Sequence, residues 1–241
     1  MHEADKNKIL ERYAERISTL GHGAAALGEP KQRQAFYFDI LAQVDGLAAE
    51  DSVLDVGCGY GDLGDYLKTR HWRGKYLGID INPQLIEEGK RRYPGADLRV
   101  LDIQETPVEG THDWCICCHA LTSKTEALPF QEHLSNMLDL MWKTCRKGLV
   151  FNLLSPLADH THPVHARPSF ATVMEILSRM TNRFTLRHDY MPYEYAVYAY
   201  KENLIRRDLL IFDAQGQNFA TSVAKWRERR QQVESASASR K

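Results

Sequence analysis

The sequence carries almost no net charge: 31 lysine and arginine residues stand against 32 aspartate and glutamate residues, a formal balance of -1. A chain without a global field has no general attraction for nucleic-acid phosphates or an anionic bilayer, so neither is an expected partner. Long apolar runs are also missing. The longest good candidate, Leu149 to Leu154, falls far short of the roughly 20 residues of a spanning helix. Met1 to Lys8 is charged and leads into Ile9-Leu10-Glu11, so the apolar core of a secretory signal is absent. The five cysteines are an odd number, three of them packed into Cys115-Ile116-Cys117-Cys118, a spacing unsuited to a disulfide framework. These absences predict a cytoplasmic protein in a reducing environment. Internal repeats are lacking, and 43% hydrophobic with 26% charged residues are globular proportions that exclude disorder, collagen and coiled coil.

What is present is an α/β pattern. Ile9, Leu10, Tyr13, Ile17 and Leu20 recur at helical spacing between Asp5 and Leu20, and Gly21-His22-Gly23 stops the helix. A second helix is predicted over 31–44, after a Gly28-Glu29-Pro30 break. From Ser52 short apolar runs alternate with helical stretches, the pattern of a buried parallel sheet. Strands are predicted at 53–56, 76–79, 98–101, 114–118 and 149–154, with helices at 62–70, 83–93 and 129–147. A helix at 169–180 and a final strand pair at 184–187 and 193–200 follow, the last aromatic enough for an antiparallel edge. We therefore expect a helical lid over 1–46, a ligand-binding domain over 47–201 and a partly mobile extension over 202–241. The basic run Lys225-Trp226-Arg227-Glu228-Arg229-Arg230 in that extension reads as a solvated helix face.

The first strand runs into Val56-Gly57-Cys58-Gly59-Tyr60-Gly61, three alternate glycines that let a ligand approach backbone with no Cβ in the way. Asp80 ends the second strand, where a carboxylate accepts two hydrogen bonds from a ribose diol. Asp102 ends the third, within reach of an adenine amine. A dinucleotide fingerprint wants a small residue where this chain has Asp62, which would meet a pyrophosphate at the helix N-terminus. S-adenosylmethionine, with a sulfonium and an ammonium against one carboxylate, is net cationic and suits Asp55 and Asp62.

Leu54-Asp55-Val56-Gly57-Cys58-Gly59-Tyr60-Gly61, Gly78-Ile79-Asp80-Ile81-Asn82 and Leu101-Asp102-Ile103 resemble the first three motifs of class I S-adenosylmethionine-dependent methyltransferases. The resemblance extends over roughly residues 50 to 200. It implies a Rossmann-like, mostly parallel seven-stranded sheet in the order 3-2-1-4-5-7-6 with one antiparallel strand and helices on both faces. It also implies that Asp55, Gly57, Cys58, Gly59 and Gly61 lie against the methionine part, that Asp80 and Ile81 hold the ribose, and that Asp102 with Ile103 frames the adenine, with Cys118 nearby. Arg33-Gln34, Asn152-Leu153-Leu154-Ser155 and Arg187 to Tyr193 are similar to a bacterial subgroup of small-molecule type. The implied reaction is in-line transfer of a methyl group to a small or medium-sized polar acceptor.

The acceptor belongs outside the carboxyl ends of the central strands, after Cys118 and after Leu154. His119 there is a candidate general base, the alternative being a histidine that bonds backbone at a strand end. The sequence Cys118-His119-Ala120-Leu121 replaces the Asn-Pro-Pro-Tyr of many amino-group methyltransferases. His160, His162 and His165 read as a polar substrate lid, a solvated loop or, less favoured because Pro163 interrupts them, a metal site. Tyr13 is a candidate substrate contact, and Arg33 a bidentate partner for the cofactor carboxylate; plain packing and a solvated face are their alternatives. Two other functions share these features: a non-catalytic S-adenosylmethionine-binding subunit or sensor, and a nicotinamide-dependent oxidoreductase, which Asp62 and the final strand pair oppose.

Overall fold

The computed structural model describes residues 1–28, 31–159 and 163–202, leaving aside the side chains of residues 31 and 32. His160, His162 and the expected extension beyond Glu202, with its basic run, lie outside the described residues. Three helices come first, α1 (Glu3–Leu20), α2 (Ala24–Leu27) and α3 (Lys31–Ala42); the short α2 has no counterpart in the helical periodicity. The alternating region then gives β1 (Val53–Val56), α4 (Asp62–Thr69), β2 (Tyr76–Asp80), α5 (Pro83–Arg92), β3 (Asp97–Val100), β4 (His112–Cys117), α6 (Phe130–Thr144) and β5 (Cys145–Leu154). It closes with α7 (Phe170–Met180), β6 (Phe184–Arg187) and β7 (Glu194–Tyr200).

The seven strands form one sheet in the order β3-β2-β1-β4-β5-β7-β6, as the resemblance implies. Pairings from β3 through β5 are parallel, and β7 runs antiparallel to both β5 and β6. The helix predicted to reach residue 147 stops at Thr144, because Cys145 is already extended (φ -109, ψ 150) and starts β5 four residues early. Among the described residues, two helices begin on side-chain caps. Asn82 Oδ1 accepts from the Gln84 and Leu85 amides with Pro83 at the first position of α5, and Ser169 Oγ accepts from Thr172 at the start of α7, each such cap being worth about 1 kcal/mol.

Side-chain alternation along the strands splits the core into two layers. Cys115 and Cys117 of β4, with Phe151 and Leu153 of β5, pack under α6 and α7 against Leu138 and Ile176. Trp114 and Ile116, one residue out of phase, pack with α3 and α4 against Leu41 and Leu67. Each fully buried aliphatic side chain in these layers stabilises the fold by about 1.5–3 kcal/mol. The layers leave the carboxyl ends of β1, β2 and β4 open, and α1 and α2 lie across that opening.

Candidate functional site

A cleft opens at this end of the sheet, walled on one side by the turn after β1 and the ends of β2 and β3, and on the other by α1, α3 and the segment after β4. Gly57 and Gly59 are both left-handed (φ 74 and 57), a region that costs a residue with a Cβ. A Cβ on Gly57 would also collide with that of Ala120. Glycine is thus required twice over, once for torsion and once for the close approach of the β4 loop. The Asp80 carboxylate then ties the turn down. Its Oδ2 accepts from Gly59 N at 2.9 Å and its Oδ1 from Asn82 N at 2.9 Å.

Two carboxyls in this wall are strongly perturbed. Burial pushes Asp55 up to about 7, against the hydrogen bond donated by Tyr76 at 2.6 Å and with Asp80 and Asp62 adding to the rise. Burial likewise pushes Asp80 up to about 6, although the amides of Asn82, Gly59 and Ile81 oppose it. Carboxylates held this far from water are a receptive wall for a cation or for hydroxyl donors. Asp102, also buried, accepts from Gln104 N at 2.9 Å and meets the Met1 ammonium at 2.7 Å. Asp62 does not line the cleft; it accepts hydrogen bonds from Gln34 (3.1 Å) and Tyr93 (2.6 Å) behind the turn.

The structure brings together most residues singled out from sequence. Asp55, Gly57, Cys58, Gly59, Asp80, Ile81, Asp102, Ile103, Cys118, His119, Tyr13 and His165 all line the cleft. Gly61 does not; it is the left-handed residue (φ 83) that starts α4. Arg33 is exposed on α3 and does not line it either, whereas Gln34 and Tyr37 of the same helix do. Sequence reasoning missed Arg12, which lines the cleft beside Tyr13, and Ser123 across from it.

His119 has unusual surroundings. Its backbone is left-handed (φ 62), held by a 2.8 Å bond from its N–H to Asn152 Oδ1, and its Nε2 lies 2.8 Å from Oε2 of the buried Glu194. Nδ1 faces Cys118 Sγ at 3.7 Å, and Tyr37 packs edge-on at 4.5 Å between ring centroids. Burial works against charge on the ring, but Cys118 and Glu194 outweigh it and raise the imidazole well above its ordinary range. On the cleft rim, His165 Nδ1 lies 3.2 Å from Thr122 Oγ1, and a β-bridge joins its backbone to Ser123.

Comparison with known proteins agrees with this architecture. A family model described as "Methyltransferase domain" matches residues 53–144. "Putative methyltransferase Rv1506c" of Mycobacterium tuberculosis is 27% identical over 160 residues, covering 62% of this chain and 93% of that protein. Other curated relatives are matched over 22% to 35% of their own length. Among solved structures, magnesium protoporphyrin IX methyltransferase from Synechocystis with bound S-adenosylmethionine superposes with a TM-score of 0.60 at 19% identity, over 82% of this chain and 97% of that one. An amino pentose methyltransferase from Micromonospora echinaspora gives 0.53 at 13% identity, over 71% and 92%. At these identities the structural likeness is one of fold.

Proposed function

The chain is a class I S-adenosylmethionine-dependent methyltransferase, and from that premise we propose that it methylates a small or medium-sized polar acceptor held between the glycine turn and the segments following β4 and β5. The observation that carries the reading is the pair of carboxyls, buried Asp55 and half-buried Asp80, lining the cleft beside a glycine cradle with no Cβ. A cationic amino-acid end suits Asp55, and a ribose diol suits the lone pairs of Asp80 left over from the Gly59 and Asn82 amides. Gly57, Cys58 and Gly59 would bear the methionine part, and Asp102 with Ile103 the adenine.

S-adenosylmethionine supplies a methyl group already activated by positive sulfur, which passes to an acceptor lone pair while the carbon–sulfur electrons stay on sulfur. The residues of this chain then have to align the two partners and exclude water. In our reading α1 to α3 form the lid. Asp5 fastens it, its buried carboxylate accepting from the Glu126 and Ala127 amides at 2.8 and 3.2 Å on the connection between β4 and α6. His119, clamped by Glu194 and Asn152, fixes the loop that presses Ala120 onto Gly57. Among the described residues no helix is long and apolar enough to cross a membrane, and five free thiols suit the cytoplasm.

Calorimetric titration with S-adenosylmethionine, S-adenosylhomocysteine and NAD tests the reading. Saturable binding of the first two and none of NAD is expected; the reverse pattern would overturn it.

A further inference from the structure

The cleft has walls of opposite chemistry. The three carboxyls Asp55, Asp80 and Asp102 lie on the sheet side, whereas α1 contributes a guanidinium, Arg12, to the opposite side. Arg12 Nη2 donates to Ser123 Oγ at 3.3 Å, a long bond, and its charge acts on the neighbouring Tyr13 phenol. Its Nε is buried with no hydrogen-bond partner, and among the described residues Arg12 forms no ion pair. A half-buried guanidinium with an idle donor and no counter-ion is costly unless a ligand supplies the anion.

We propose that Arg12, with Ser123 and His165 beside it, anchors a carboxylate of the methyl acceptor, so that the substrates are small carboxylic acids; this deepens the methyltransferase reading and rests on it. Three features support the assignment. The guanidinium fork matches a carboxylate in shape as well as charge, unlike the point charge of a lysine. The partner of Arg12 is Ser123, in the segment after β4, which is the side of an open α/β sheet where the second reactant belongs. The bridge between Ser123 and His165 brings a hydroxyl, an imidazole and the guanidinium to one rim of the cleft. The glycine turn, where the cofactor's own amino-acid end would lie, is flanked by Leu27 and Ala120 instead.

The test uses the full chain saturated with S-adenosylhomocysteine, titrated calorimetrically with benzoate, succinate and citrate and with the corresponding primary amides. At least one carboxylate should bind about tenfold or more tightly than its amide, as expected for a charge-assisted pair. Arg12→Gln should abolish that preference, Arg12→Lys should keep part of it, and both should bind S-adenosylhomocysteine within about twofold of wild type. No carboxylate preference in the wild type, or a preference surviving in Arg12→Gln, overturns the proposal. So does an Arg12→Gln chain that loses S-adenosylhomocysteine while keeping 5′-methylthioadenosine, which lacks the amino-acid part, because the guanidinium then serves the cofactor. A wild-type chain that binds no S-adenosylhomocysteine at all would overturn both this and the methyltransferase reading.

Discussion

His119 on the loop after β4 and Glu194 at the head of β7 are joined through Nε2 and Oε2 at 2.8 Å, across 75 residues of chain. The pair ties the antiparallel strand, which is farthest from the glycine turn in sequence, to the loop that covers that turn. Because the folded imidazole titrates well above the ordinary 6.5, the folded state binds its proton more tightly than the unfolded state does. The resulting stabilisation is fully present below about pH 6.5 and is lost as pH rises through the folded value. Glu194→Gln should therefore lower the melting temperature most near pH 6, with the gap to wild type narrowing in alkaline solution. A gap independent of pH between about 6 and 10 would show that no proton is held by this pair.

Cofactor affinity should depend on pH through Asp55 and Asp80. With values raised to about 7 and about 6, these groups are partly protonated in the empty cleft below neutrality. A cationic ligand selects their ionised forms, so S-adenosylmethionine should bind more tightly as pH rises from about 5.5 to 8 and then level off, by up to about tenfold per pH unit for each group. Asp55→Asn should flatten the upper part of that curve. Titrations at four pH values would decide it, and an affinity that falls across this range would contradict the assignment.

Asp80 has two tasks, one for the fold and one for the ligand. Its oxygens hold the Gly59 and Asn82 amides and, in the proposed complex, the ribose. Asp80→Ala should weaken S-adenosylhomocysteine binding by about 1.5–3 kcal/mol, or roughly ten- to a hundredfold. An unchanged dissociation constant would remove Asp80 from the cofactor site.

Most of this architecture was legible in local pattern, and most of what was missed is long-range. The glycine turn and Asp80 announce themselves because turn chemistry and strand ends are encoded within a few residues. The clamp on His119 is not, because its anchors, Asn152 and Glu194, sit on two later strands and meet the histidine only after the sheet is assembled. One signal was available: Glu194 is an acid at the head of a strand otherwise made of apolar and aromatic residues, Tyr195 to Tyr200, and the whole strand is buried. Arg33 stands near the start of its helix, whereas Arg12 lies within α1, where local sequence gives it no signal. Which face of α1 meets the cleft is set by docking contacts such as Asp5 on the Glu126 and Ala127 amides, which helical periodicity does not reveal.

The same docking makes a prediction for the lid. Asp5→Ala removes the side-chain acceptor of the Glu126 and Ala127 amides, a loss of about 0.5–1.5 kcal/mol per bond because water can reach these exposed residues, and loosens α1 over the cleft. Dissociation of S-adenosylhomocysteine, followed by stopped flow, should accelerate while the sheet keeps its circular dichroism. An unaltered off-rate would mean that α1 does not gate the cleft.

Gly57→Ala is the most severe single change the site offers. The new methyl would be forced into a left-handed backbone at φ 74 and into the Cβ of Ala120. Relief requires moving either the turn, which is fixed because the Gly57 and Cys58 amides both donate to the Ile79 carbonyl, or the loop, which is fixed by the bonds of His119 to Asn152 and Glu194. Neither side is free to yield, so strain of about 1–3 kcal/mol should appear as lower thermal stability together with loss of S-adenosylhomocysteine binding. Adding Ala120→Gly removes the colliding methyl but leaves the torsional cost. The double variant should regain part of the stability and a measurable affinity, and a double variant no better than Gly57→Ala would show that backbone torsion, not the contact with Ala120, sets the requirement for glycine.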